Sequence, residues 1–193
     1  MRSSALSGPP DTRHYIDIRS SIRDGDVLMY RGRSWISRLI QAATRSQYSH
    51  AGLATWWNNR LMVMEAIGKG VVVTPLSANI REYHGTVELF TCKEEINDEQ
   101  RLWMIQFAQR ELGKAYGRWN ALVLGFRLLF KRTIEARDAL RRGRRLFCSH
   151  YVAETYTAAG KDLKKGASDR FMSPGDIAQS PLLHRVAILK TAR

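Results

Sequence analysis

The chain has 193 residues, 44% hydrophobic and 25% charged, a globular mixture that excludes an intrinsically disordered polypeptide and suits one well-buried domain. Against 18 Asp and Glu stand 31 Lys and Arg, a net charge of +13 that favours phosphates, anionic lipid headgroups or acidic polymers as contacts without specifying any of them. Two cysteines, Cys92 and Cys148, exclude a disulfide framework, and no Cys/His cluster has zinc-site spacing, so a structural metal is not expected.

Residues 1–14, rich in Ser, Gly, Pro and charge, read as a loose tail, with 15–193 as a single domain. The N-terminus has no apolar run of signal-peptide type, and the longest apolar stretch, 120–130, is interrupted by Arg127 and too short to span a bilayer. The default location is therefore cytoplasmic, with export by another route as the alternative.

The Asp24-Gly25 turn before Val27 predicts entry into a buried strand. Trp35, Leu39, Ile40 and Ala43 have helical spacing within residues 34–44. Residues 48–76 then read as a meander: strands over 50–57 and 60–67 joined by Asn58-Asn59, and a third over 71–74 after Gly68-Lys69-Gly70. Another strand is predicted at 87–92. Asn97 is placed to cap a helix with Leu102, Ile105, Phe107, Ala108 and Leu112 as its apolar positions, ending at Gly113.

Residues 127–145, from Arg127 to Arg145, carry eight basic side chains against Glu135 and Asp138, a basic insertion expected over about 120–145. Residues 146–160 predict a helix opening near Cys148, with Val152, Tyr156 and Ala159 inward and Gly160 as its stop. A turn at Ser173-Pro174-Gly175-Asp176 and a strand over 185–189 close the chain.

A thiol becomes a strong nucleophile when a helix N-terminus or a nearby imidazolium makes it a thiolate. Cys148 lies in the first turn of its predicted helix, where unpaired amides are also ready donors for an oxyanion. His50, at the start of the first meander strand, is the best-placed base among five histidines. If Asn58-Asn59 is a two-residue hairpin loop, Trp57 pairs with Arg60, Ala54 with Val63, Gly52 with Glu65 and His50 with Ile67. Parity then puts His50 and Glu65 on one face as diagonal neighbours, about 7–8 Å apart at the backbone, and Gly52 leaves room for the carboxylate. A three-residue loop would turn Glu65 away.

Cys92, in a strand, reads as packing. His150 lies two positions beyond Cys148 and is expected to turn away from it, at an exposed or rim position. His14, His84 and His184 have no supporting context.

The motifs Gly25-Asp-Val-Leu28, Tyr48-Ser-His-Ala-Gly-Leu53, Met64-Glu-Ala-Ile67, Gly70-Val71, Pro75-Leu76, Phe147-Cys-Ser-His-Tyr-Val152 and Ser173-Pro-Gly-Asp176 occur in an order that resembles the YiiX/YebB-like branch of the NlpC/P60 superfamily. The resemblance covers residues 22–180. It implies an α+β fold of circularly permuted papain-like type, an antiparallel sheet or small barrel packed against the helix that bears the cysteine. It further implies Cys148 as nucleophile, His50 as base and Glu65 as the group orienting it, with no cofactor.

The expected function is a thiol-dependent hydrolase of the amidase or peptidase kind, acting on peptide, amide or acyl substrates such as peptidoglycan peptides or aminoacyl amides. A similarity to lecithin:retinol acyltransferase-like proteins, whose cysteine motif also has a histidine two residues on, keeps a lipid acyltransferase or esterase as the alternative. Contact with an anionic membrane or acidic polymer is expected through Arg127 to Arg145, and a non-enzymatic basic binding module is the third reading. No specific nucleic acid partner is expected.

Overall fold

The computed structural model describes residues 11–68, 70–114, 147–166 and 172–191. The expected basic insertion, including Arg127 and Arg145, lies outside them, as do residues 1–10 of the expected tail. The last residues of that tail form a short strand, β1 (Thr12–His14), followed by α1 (Tyr15–Ile18). Next come β2 (Val27–Gly32), α2 (Trp35–Thr44), β3 (His50–Trp57), β4 (Arg60–Ile67) and β5 (Gly70–Pro75). They are followed by α3 (Leu76–Glu82), β6 (Gly85–Cys92) and α4 (Asp98–Arg110). The cysteine helix is α5 (Phe147–Ala158), and α6 (Pro174–Ala178) and β7 (Leu183–Lys190) complete the described chain.

The strands form one sheet in the order β1-β7-β6-β2-β3-β4-β5. Only β1 with β7 is parallel; the other neighbours are antiparallel. The architecture is the expected mixed α+β fold of permuted papain-like type. Both faces are covered, which explains the unbroken apolar run of β2. Val27 and Met29 point to one face and join Leu53, Met64 and Phe90 under α4 and α5, whereas Leu28 and Tyr30 point to the other and join Val63, Leu89 and the α3 residues Leu76 and Ile80.

Local signals account for several boundaries. Ser34 caps α2 by accepting from the Ser37 amide, and Arg45 closes it in the left-handed region at φ 50°. Asn97 and Gln100 form a reciprocal capping box at α4. The turn into β2 uses Gly25 at φ 83°, and the buried Asp26 carboxylate accepts from the Arg23 amide and from the Thr91 hydroxyl.

Further features differ from the sequence expectations. Helix α3 was not foreseen; seven residues are too few to establish a period. Leu102, expected to face inward, is 54% exposed, because α4 turns Met104 and Ala108, flanked by the partly buried Ile105, against the core. The closing strand extends beyond 185–189 at both ends. Among the described residues, no helix is long and apolar enough to cross a membrane.

Candidate active site

The geometry of the site begins with the β3–β4 hairpin. Trp57 pairs with Arg60 and the ladder continues to Leu53 opposite Met64, as a two-residue loop at Asn58-Asn59 requires. Asn58 takes φ 53° to make the reversal. The ladder stops there. The expected pairs of Gly52 with Glu65 and His50 with Ile67 are not part of it, although β3 continues alongside β2 to His50 and β4 continues alongside β5 to Ile67. Within the stretch unpaired to β4, the Ala51 amide hydrogen-bonds the Cys148 sulfur instead. The N-terminus of α5 therefore meets the sheet where β3 and β4 cease to pair.

Face parity survives the end of the ladder. His50 Nε2 lies 2.6 Å from Glu65 Oε2, and both side chains are largely buried, 18% and 10% exposed. Gly52 makes this possible: a Cβ there would stand 2.9 Å from Val63 Cγ2 and 3.3 Å from Glu65 Cβ. With Nε2 engaged by Glu65, Nδ1 is the ring nitrogen left for the Cys148 thiol, to which His50 is also hydrogen-bonded.

Each of the two titrating groups favours the charged form of the other. Burial pulls the His50 imidazole down, but the Cys148 charge and hydrogen bond, together with Glu65, raise it to about 10. Burial pushes the Cys148 thiol up, yet the His50 charge and hydrogen bond, the Ala51 amide and the Ser149 hydroxyl leave it lowered. Cys148 is 6% exposed and occupies the second position of α5, where the helix dipole also favours a thiolate.

Beyond Glu65 the structure adds residues that the sequence reading missed. Asn79, on α3, donates from Nδ2 to Glu65 Oε1 at 2.9 Å and accepts at Oδ1 from the Tyr30 hydroxyl, also at 2.9 Å. Only one orientation of the amide satisfies both partners. The Tyr30 ring, fully buried, packs on His50 with centroids 5.1 Å apart and on Tyr83 at 4.9 Å. The phenol of Tyr83 in turn hydrogen-bonds the Ser49 and Ser37 hydroxyls. The one available signal for Asn79 was Leu76 and Ile80, an i,i+4 apolar pair following Pro75, which are the buried residues of α3.

His150, expected at an exposed or rim position, is 17% exposed at its side chain and pairs with Glu154 at 3.2 Å along α5. Cys92 is half-buried in β6, and burial pushes its thiol up, as suits a packing residue. Among the described residues, no group of three or more His, Cys, Asp or Glu side chains is placed to hold a metal ion.

A sheet whose histidine strand precedes its cysteine helix, with the thiol, the imidazole and a carboxylate in line, defines a papain-like fold in permuted order. Residues 21–122 match the family of permuted papain-like amidases, YaeF/YiiX, C92, and the chain belongs to that family. The matched span contains His50 and Glu65 and ends before Cys148. The chain is similar to the uncharacterized protein YiiX of Escherichia coli strain K12, 36% identical over 95 residues that make up 48% of this chain and 46% of that protein. The match thus spans about half of that relative's length. In three dimensions it is similar to the crystal structure of the metalloprotein yiiX from Escherichia coli O157:H7, with a TM-score of 0.62 and 26% identity over 86% of this chain and 97% of that one.

Proposed function

We propose that this protein is a cysteine hydrolase of amide bonds, with Cys148 as nucleophile, His50 as acid and base, and Glu65 orienting His50. The observation that carries the reading is the buried thiol–imidazole–carboxylate line, in which His50 reaches Glu65 at 2.6 Å and is hydrogen-bonded to Cys148. The Cys148 thiolate attacks the substrate carbonyl carbon, and the oxyanion is stabilised by the first-turn amides of α5, that of Cys148 foremost. The His50 imidazolium gives its proton to the leaving amine as the C–N bond breaks, which leaves an acyl thioester on Cys148. A water molecule, deprotonated by His50, then attacks the thioester, and the carboxylic acid and the thiol are released. Asn79 and Tyr30 act through Glu65 as positioning residues. No step of this cycle requires a cofactor.

Family membership supports amides over other acyl compounds, and peptidoglycan peptides and aminoacyl amides are the substrates to test first. Hydrolysis is measured on such a panel with wild-type protein, Cys148→Ala and His50→Ala, alongside iodoacetamide labelling across pH. The expected results are loss of turnover in both variants and selective labelling of Cys148 below the ordinary thiol range of about 8.5. Undiminished hydrolysis by Cys148→Ala would refute the mechanism. A thiol inert until strongly alkaline pH would favour the non-enzymatic binding reading.

A further inference from the structure

A second group of charged residues lies apart from the Cys148–His50–Glu65 line, on the sheet face that carries α4 and α5. Glu88, in the middle of β6, has even-numbered parity with Phe90 and points to that face with no exposure. It is held from three sides: Arg31 Nη2 at 2.6 Å from Oε1, and Arg185 Nη1 at 3.1 Å and the Tyr48 hydroxyl at 2.7 Å from Oε2. Two guanidiniums around one carboxylate leave a local surplus of one positive charge. The carboxylate is fully buried while the two arginine side chains are 31% and 32% exposed, and the desolvation of Glu88 offsets much of the pairing.

The position of Arg185 is itself built. By simple alternation Arg185, Ala187 and Leu189 would share one face of β7. The β6–β7 register shifts between Leu89 and Phe90, however, so that Leu89 pairs with Ala187 while Phe90 pairs with Arg185. This bulge turns Arg185 to the face opposite that of Ala187, and Glu88 then fixes its guanidinium. Above it opens a cavity of about 550 Å³ between α6, β7 and the loop that follows α2. Arg45 and Arg185 line it, together with Tyr48, Phe90 and Leu183, and no carboxylate is among its described lining residues. Arg45 is exposed, and no ion pair engages it among the described residues.

We propose that this cavity binds a small organic anion, a carboxylate or phosphate monoester on an apolar body. The charged end meets Arg185 and Arg45, and the body lies on Phe90, Tyr48 and Leu183. A guanidinium anchored by a buried carboxylate loses little further freedom when it meets an anion in its fork. The volume suits a ligand of this size. None of Cys148, His50 and Glu65 lines the cavity, so the inference does not rest on the hydrolase reading.

The test is isothermal titration calorimetry of the full chain at low ionic strength with phenyl phosphate, benzoate and inorganic phosphate. Phenyl phosphate or benzoate is expected to saturate one site, more tightly than inorganic phosphate. Arg45→Asn, which suits the left-handed backbone, should weaken binding by about tenfold or more, with the melting temperature unchanged. Binding should persist in Cys148→Ala, so that failure of the hydrolase reading leaves this result intact. Absence of saturable binding by both organic probes would overturn the assignment, as would equal affinity of the Arg45→Asn variant or of inorganic phosphate. Salt-sensitive binding to phosphatidylglycerol vesicles without binding of the soluble probes would also overturn it.

Discussion

The charge state of the Cys148–His50 pair is a property of two residues acting on each other. His50, raised from 6.5 to about 10, contributes stability that is complete below the unfolded value and lost as pH rises through about 10. Cys148, lowered from 9.0, contributes stability that is present above the unfolded value and lost as pH falls through its lowered folded value. Because each charge shifts the other, the two titrate as a unit. Replacing Cys148 with Ala removes the thiolate that raises the imidazole, so the His50 titration followed by NMR should fall from about 10 by roughly one pH unit or more. Persistence near 10 would mean that Glu65 alone holds the proton. Asn79→Ala leaves Glu65 Oε1 and the Tyr30 hydroxyl without their partner, which should cost about 1–3 kcal/mol in urea denaturation. It should also lower kcat more than it raises KM. Tyr30→Phe removes one hydroxyl only and should cost about 1 kcal/mol. Unchanged kcat in Asn79→Ala would limit Asn79 to a structural role.

At the scale of elements, the hairpin and the glycine opposite the carboxylate set the reach between His50 and Glu65. Gly52→Ala would place a methyl group 2.9 Å from Val63 Cγ2 and 3.2 Å from the Met64 carbonyl oxygen, in a region where the β4 backbone cannot retreat without losing β5. The expected cost is about 1–3 kcal/mol, together with slower iodoacetamide labelling of Cys148 as Glu65 is displaced from His50. Labelling at the wild-type rate would show that the strands separate without moving the carboxylate. At α4, Asn97→Ala removes the side-chain half of a capping box and should lower stability by about 1 kcal/mol with labelling unaffected. These two elements were legible in the sequence for a local reason: a two-residue loop dictates parity, and a capping residue lies within three positions of the amide it satisfies. Helix α3 was not legible, because its seven residues form no period and its inward side is defined by the sheet beneath it.

At the scale of the molecule, among the described residues one sheet separates two apolar clusters, and β2 contributes alternate side chains to both. Neither layer can lose its packing without exposing the strands that the other uses. Thermal and urea unfolding followed by far-UV circular dichroism and by tryptophan fluorescence should therefore give coincident transitions. Separate midpoints would show that the α4–α5 layer detaches from the sheet independently. The same layering explains the location of the site. Cys148 enters from the side that bears α4 and α5, whereas His50 and Glu65 share parity with the Tyr30 face, and the two meet where β3 and β4 no longer pair.

What the sequence by itself determined is what local geometry imposes. The Asn58-Asn59 loop put His50 and Glu65 on one face, the capping positions defined α4, and the Cys148 motif opened a helix. Only the tertiary structure decided where the β3–β4 ladder ends, that Asn79 and Tyr30 complete the line behind Glu65, and that a bulge turns Arg185 toward Glu88. Each of these depends on contacts between segments far apart in the chain. Alternation along one strand cannot reveal a register shift imposed by its neighbour, nor can a short helix announce the carboxylate it will meet.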